Sequence, residues 1–258
     1  MTDISPTITR ERRGHVFLIG LNRTAKRNAF DPELFHDLAR AYYEYEHDPD
    51  LRAAVVFAHG DHFTAGIDLA QFAPLFEQGD PFALNENEID PFGLRNRLSK
   101  PLVMAVHGIS FTIAIEMMLA ADIRLAAPGT RFGQLEIARG LYPLGGATFR
   151  LVRECGWGNA MRWLLTGEEF TPEEAFRIGL IQEVAALDRA IEIAQRIADQ
   201  APLGVRATLR SARLAIDEGE PSAIAHLQDD MRAILTSHDF AEGVASFRER
   251  RKAEFKGE

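Results

Sequence analysis

The run Gly108-Ile-Ser-Phe-Thr-Ile-Ala-Ile-Glu-Met-Met-Leu-Ala-Ala-Asp122 decides how the rest of this chain is read. It is almost wholly apolar, yet Glu116 stands in it, flanked by Ile113, Ile115, Met117, Met118 and Leu119. The pattern predicts a buried or half-buried helix carrying a carboxylate. An isolated buried carboxylate costs several kcal/mol unless it is paired or its pKa rises. A second acid, Glu136, follows a strand-like Ile123-Arg-Leu-Ala-Ala127, a Pro128-Gly129 turn and Phe132-Gly133. Two acids brought to one pocket by neighbouring elements suit general acid/base chemistry, because their surroundings can push their pKa values apart. The plain alternative for either acid is a salt bridge or a helix cap.

Outside this stretch, bulk composition narrows the function classes. With 258 residues, 46% of them apolar, the chain can bury one large core or two smaller ones. A formal net charge of -9 without a long basic stripe argues against nucleic acid and against a cationic membrane-surface role. The lone Cys155 excludes an intrachain disulfide, fits a reducing compartment and reads as a buried filler. No apolar run approaches the ~20 residues that cross a bilayer, and Met1 to Gly14 lack the apolar core of a secretory signal. A soluble, cytoplasmic protein is expected.

Two strand-like runs, residues 7–12 and 15–21, flank an Arg13-Gly14 turn and predict an N-terminal hairpin. A basic loop, Asn22 to Phe30, leads to Asp31-Pro32, a good N-cap followed by a good first-turn residue. Residues 52–58 read as a buried strand. Sliding the chain by 48 positions then sets His59-Gly60…Phe63-Thr64…Ile67-Asp68 on His107-Gly108…Phe111-Thr112…Ile115-Glu116, and Val55 on Val103. An echo of that period predicts stacked strand–strand–helix units sharing one core. It also makes the corners Thr64-Ala65-Gly66 and Thr112-Ile113-Ala114 equivalent. Each would offer backbone N–H groups at a helix start, and a pair of such corners is how a chain builds an oxyanion hole.

Between the corners, Gln71 to Lys100 reads as a mobile lid with a short helix at Leu94 to Leu98, or as a plain surface loop. After Glu136, amphipathic helices are expected around Arg150 to Cys155, Gly158 to Leu165, Thr171 to Ile178 and Ala186 to Gln200. A boundary near Ala201-Pro202 divides a body, residues 1–200, from a wholly helical tail, residues 201–258, with helix expected from Val205 to Lys256. His59 and His62 have i, i+3 spacing without a third ligand, so no metal is expected; His59 and His107 read as hydrogen-bonded strand ends.

On several motifs in order, the chain resembles the crotonase (enoyl-CoA hydratase/isomerase) superfamily. Leu21-Asn-Arg…Lys26-Arg-Asn-Ala29 is similar to the family's coenzyme A entry loop, and His62-Phe-Thr-Ala-Gly-Ile-Asp-Leu69 to its first oxyanion-hole motif. Pro101 to Gly108 resembles the strand before the second donor. Phe132-Gly-Gln-Leu-Glu136 resembles the segment of the second catalytic glutamate, and Pro143-Leu-Gly-Gly146 the pocket turn after it. Glu242-Gly…Phe247…Arg250-Arg-Lys…Phe255-Lys256 resembles the C-terminal signature.

The resemblance implies an α/β crotonase-like spiral of ββα repeats with a C-terminal helical trimerisation segment, assembled as a trimer or a dimer of trimers. It implies an acyl-CoA substrate, no prosthetic group and no metal, with Glu116 and Glu136 catalytic and Ala65 and Ile113 as oxyanion donors. Coenzyme A contacts would fall to Lys26, Arg27, Ala29, Ala65, Ile67, Asp68, Leu69, Arg250 and Lys256, with Met231 near the adenine. Thr112, Tyr142, Pro143 and Gly145 would line the pocket. Asp68, read alone, is a corner stabiliser. Both acids favour hydration of a trans-2-enoyl-CoA; the alternatives are an isomerase working mainly through Glu136, and a catalytically weak acyl-CoA-binding homologue. The sequence departs from the family at Thr112-Ile113-Ala114, where a glycine run is usual. Ile113 keeps its N–H but brings a stiff β-branched side chain that needs negative φ, which makes donor geometry the open question.

Overall fold

The computed structural model describes residues 6–258; Met1 to Ser5, part of the N-terminus expected to carry no signal, lie outside the described residues. The expected hairpin is β1 (Ile8–Arg13) paired antiparallel with β2 (Val16–Leu21). Asp31 opens α1 (Pro32–His47) by accepting the Leu34 N–H at 2.8 Å, and Leu34, Leu38, Ala41, Tyr42 and Tyr45 turn one face of that helix inward. β3 (Ala53–Ala58) runs parallel to β2. After α2 (Leu69–Gln78) comes β4 (Leu102–Val106), parallel to β3 with Val55 opposite Val103. The 48-residue echo is therefore a real register between neighbouring strands.

β5 (Ile109–Phe111) and α3 (Ile113–Met118) complete the second repeat. β6 (Ile123–Ala126) extends the first sheet beside β4. β7 (Arg131–Gly133) joins β5 in a second sheet and precedes a 3-10 turn over Glu136–Arg139. Then follow α4 (Ala147–Cys155), α5 (Trp157–Thr166), β8 (Glu169–Phe170), α6 (Pro172–Arg177), β9 (Glu183–Val184) and α7 (Leu187–Ala198). The large sheet has the order β1-β2-β3-β4-β6-β9, and the small one β5-β7-β8.

Alternation along the strands serves two faces of the large sheet. Phe17, Ile19, Val56 and Met104 enter the main core with α1, while Leu18, Val55, Val103 and Leu125 pack on Ala190, Ala194 and Ala198 of α7. Near-continuous apolar strands are what a sheet covered on both faces requires. The tail is α8 (Pro202–Glu218), α9 (Glu220–Leu235) and α10 (His238–Glu249).

Three expectations need correction. First, residues 94–98 are bends and irregular backbone rather than a helix. The Asp90 carboxylate takes the N–H groups of Phe92, Leu94 and Arg95 at 2.9 to 3.2 Å, so the backbone is satisfied locally in another way. Second, the segment is not a loose cover, because Phe82 and Phe92 are buried against Phe35 and Phe72. Third, helix ends at Glu249, not Lys256. Arg250 adopts φ +55°, and Asp239 takes the Lys256 and Gly257 N–H groups at 2.7 and 2.9 Å.

Candidate active site

The apolar character of the 108–122 run makes α3 a buried helix: all six of its residues, Glu116 included, are buried. Glu116 Oε1 accepts the N–H of Gly145 at 2.6 Å and that of Ala147 at 3.3 Å, in the turn that enters α4. Only glycine fits at 145. A Cβ there would stand 2.5 Å from the Phe92 ring and 2.7 Å from Glu116 Oε2. Glu116 Oε2 has no hydrogen-bond partner among the described residues. Burial, reinforced by the charge of Glu136, pushes the Glu116 carboxyl up to about 8.

Glu136 opens the 3-10 turn after β7. Its Oε1 accepts the Gln134 side-chain amide at 2.9 Å, and its buried Oε2 has no partner among the described residues. Burial pushes this carboxyl up to about 7. Both acids border one cleft of about 200 Å³. Among the described residues neither acid is salt-bridged, and each keeps one oxygen free, although Glu116 also caps the start of α4 through the Ala147 N–H.

The two corners meet at the same cleft, but they are not built alike. At the first, Phe30 N–H reaches Gly66 O at 2.8 Å and Asp68 N–H reaches Phe30 O at 2.6 Å, which holds the chain extended and delays α2 to Leu69. Gly66 takes φ +105°, where a side chain is strained, and a Cβ would meet Thr112 Oγ1 at 2.7 Å. The expected donor Ala65 is a correction: its N–H goes to the Arg27 carbonyl at 3.0 Å and is not free. The N–H of Ile67, two residues on, has no partner among the described residues, and Ile67 borders the cleft.

At the second corner α3 starts directly at Ile113, whose N–H is likewise unpartnered among the described residues. The unusual φ falls on Thr112 instead, at φ +51° and ψ -105°, a genuine outlier for a β-branched residue. Thr112 is held there by its N–H on Gly133 O at 2.8 Å and by its carbonyl, which accepts from Ile115 at 2.9 Å. The strained backbone therefore falls on Thr112, and Ile113 is helical.

Of the other expected site residues, Leu69, Thr112 and Tyr142 border the cleft, and Ala65 does so beside its bonded N–H. Gly145 touches Glu116, while Pro143 shapes the turn without bordering the cleft. Lys26 and Arg27 are exposed, and Ala29 half-buried, in the loop that backs the first corner. Asp68 is tied to Arg23 at 3.4 Å and to Gln71 at 3.2 Å, which suits the stabiliser reading. Arg250, Lys256 and Met231 lie in the tail and do not border the cleft within one chain. His59, His62 and His107 are hydrogen-bonded to Thr9, Ile109 and Gly60.

Sequence reasoning missed Gln134 and Arg139, and it gave Ile67 a coenzyme A contact without the free N–H. Gln134 sits two residues before Glu136, a spacing legible only once the Phe132–Glu136 segment is known to run along the cleft.

Known proteins agree with this arrangement. The enoyl-CoA hydratase/isomerase family model matches residues 11–258. Enoyl-CoA hydratase EchA19 of Mycobacterium tuberculosis is 37% identical over 254 residues, covering 95% of this chain and 94% of that protein. The (E)-benzylidenesuccinyl-CoA hydratase of Thauera aromatica is 33% identical, covering 97% and 99%. A crystal structure described as a "probable enoyl-CoA hydratase/isomerase" from Mycobacterium abscessus superposes with a TM-score of 0.95 at 50% identity, over 98% of this chain and 99% of that one. With the spiral, the paired acids and the two open corners in place, the chain belongs to the enoyl-CoA hydratase/isomerase family of the crotonase superfamily.

Proposed function

We propose that this chain is an enoyl-CoA hydratase, a hydro-lyase adding water across the trans-2 double bond of an enoyl-CoA to give a 3-hydroxyacyl-CoA. One observation carries the reading. Two carboxyls with raised pKa, each with a free oxygen, share a cleft with two unpartnered backbone N–H groups. In this mechanism the thioester carbonyl takes hydrogen bonds from Ile67 and Ile113. Negative charge grows on that oxygen as water adds to the β-carbon, and losing one such donor costs about 3 to 4 kcal/mol.

Glu116 Oε2 and Glu136 Oε2 hold the water between them. One carboxylate takes a proton from the water as its oxygen bonds the β-carbon, and the partner carboxylic acid gives a proton to the α-carbon. H and OH are added, and the pair has exchanged its proton. The chemistry is complete with these groups, the coenzyme A thioester being the substrate. An isomerase needs one carboxylate, and a closed oxyanion hole would leave only a binding protein; two free acids and the helical Ile113 support hydration over both.

The proposal extends to the whole assembly. Residues 201–258 act as the oligomerisation segment of a homotrimer or dimer of trimers, with the basic side chains of Lys26, Arg27, Arg250 and Lys256 near the nucleotide of coenzyme A, partly across copies. Support comes from α8, which buries none of its residues, and from exposed Ile216, Ile224, Leu227, Met231 and Phe247 on the tail. Among the described residues no helix is long and apolar enough to cross a membrane, and Cys155 is free, which supports the cytoplasmic assignment. Mass spectrometry after incubation with crotonyl-CoA tests the activity. A product heavier by one water is expected; failure to gain water, with 3-enoyl-CoA converted to its conjugated isomer, would mark an isomerase.

A further inference from the structure

Among the described residues, one cationic side chain borders the cleft, from an exposed position, and the hydration step does not use it. Arg139 borders it, at the end of the 3-10 turn that Glu136 begins. Three residues make one 3-10 turn, so the Arg139 side chain leaves the backbone one turn beyond Glu136 on the same side, with Glu136 turned into the cleft and Arg139 exposed at its border. Its one hydrogen bond goes to the Ala138 carbonyl at 3.2 Å, and no carboxylate pairs with it among the described residues. Nearby arginines differ: Arg131 is bridged to Glu169 and Arg177 to Glu174. The neighbouring wall is apolar, with Leu69, Phe76, Phe82, Leu135, Leu141 and Leu144.

We infer that Arg139 determines specificity by binding a carboxylate carried on the acyl chain, so that the preferred substrate class is the short ω-carboxylated enoyl-CoA. The inference rests on the hydratase reading of the same cleft. A guanidinium stays charged at any relevant pH, and its planar fork matches a carboxylate. The 3-10 rise places Arg139 roughly 6 Å along from Glu136, which leaves room for a few methylenes between the β-carbon and the anion. The diphosphate of coenzyme A is the other anion available. It lies a full pantetheine arm from the thioester, too far for a residue one turn from the reacting carbons.

Calorimetric binding of adipoyl-CoA and hexanoyl-CoA tests this without turnover, since the two acyl groups match in carbon number and differ in a terminal carboxylate or methyl. Arg139→Gln should weaken adipoyl-CoA about tenfold and leave hexanoyl-CoA within about twofold. Arg139→Lys should recover part of the loss. An equal loss for both ligands would assign Arg139 to the coenzyme A phosphates and overturn the inference, as would no loss for either. Hydration of crotonyl-CoA by the unmodified chain is followed in parallel. Turnover without the adipoyl contrast sinks this inference alone; the contrast without turnover sinks the hydratase reading and leaves the carboxylate site standing.

Discussion

Glu116 carries an electrostatic load that stability measurements can read. Its carboxyl moves from the ordinary 4.5 up to about 8, and Glu136 from 4.5 up to about 7, so the folded chain holds more protons than the unfolded one across that range. Stability is then greatest at or below about 4.5, as far as these two groups decide it, and falls as pH rises towards 8. Glu116→Gln removes the largest part of this penalty. Its thermal midpoint should exceed that of the parent at pH 8, by several degrees, with the gap closing near pH 5. The opposite ordering at pH 8 would show that Glu116 is not buried as a carboxyl. Because the charge of Glu136 helps raise Glu116, Glu136→Gln should also shift the alkaline decline of stability to lower proton affinity at Glu116.

Thr112 and Ile113 make a second residue-scale prediction. Ile113→Gly opens no donor, because Ile113 is already helical; it deletes a buried side chain and should cost about 3 to 5 kcal/mol, read by denaturant titration. Thr112→Gly should instead raise the midpoint, since it relieves the positive φ and removes a buried hydroxyl without a partner. The sequence pointed to the right corner and the wrong residue. Composition marks where glycine is missing, but which residue takes the positive φ depends on the hydrogen bonds that Gly133 and Ile115 make with Thr112.

Among the elements, strands and capped helices were the most legible. The Val55–Val103 echo is a true register, Asp31 caps the helix that its sequence announces, and α7 shows its alanine stripe. What could not be read was the first corner, where backbone bonds to Phe30, far back in the chain, hold residues 66–68 extended. For the same reason local pattern points to Ala65 as the donor in place of Ile67: the Arg27 carbonyl that consumes the Ala65 N–H is invisible to it. The lid reading of Gln71 to Lys100 fails because residues 71–78 belong to α2 and the aromatic residues beyond them pack on Phe35 and Phe72, a partnership set by tertiary structure. An element-scale test is Gly145→Ala. The added methyl meets both Phe92 and Glu116, so activity should fall at least about tenfold together with stability, while the surface change Gly158→Ala, with open space around it, should leave activity alone.

Across the whole molecule, the body is a doubly covered sheet with a complete core, while the tail offers apolar side chains and little burial of its own. Such an unpaid apolar surface fits an oligomer, and sedimentation equilibrium should give the mass of three or six chains; a monomer at micromolar concentration would contradict that part of the proposal. The family and the candidate acids were legible because each lies in an ordered series of short motifs. The expected trimer rests on the resemblance alone, since nothing in the tail's periodicity names a partner.

The most direct test follows the absorbance of the conjugated thioester when purified protein meets crotonyl-CoA. Hydration destroys that chromophore. The account predicts loss of absorbance with the parent chain and a rate at least about a hundredfold lower in both Glu116→Gln and Glu136→Gln, because each removes one half of the proton exchange. No loss of absorbance with the parent chain, in protein shown to bind coenzyme A, would contradict it, and so would full activity in either variant.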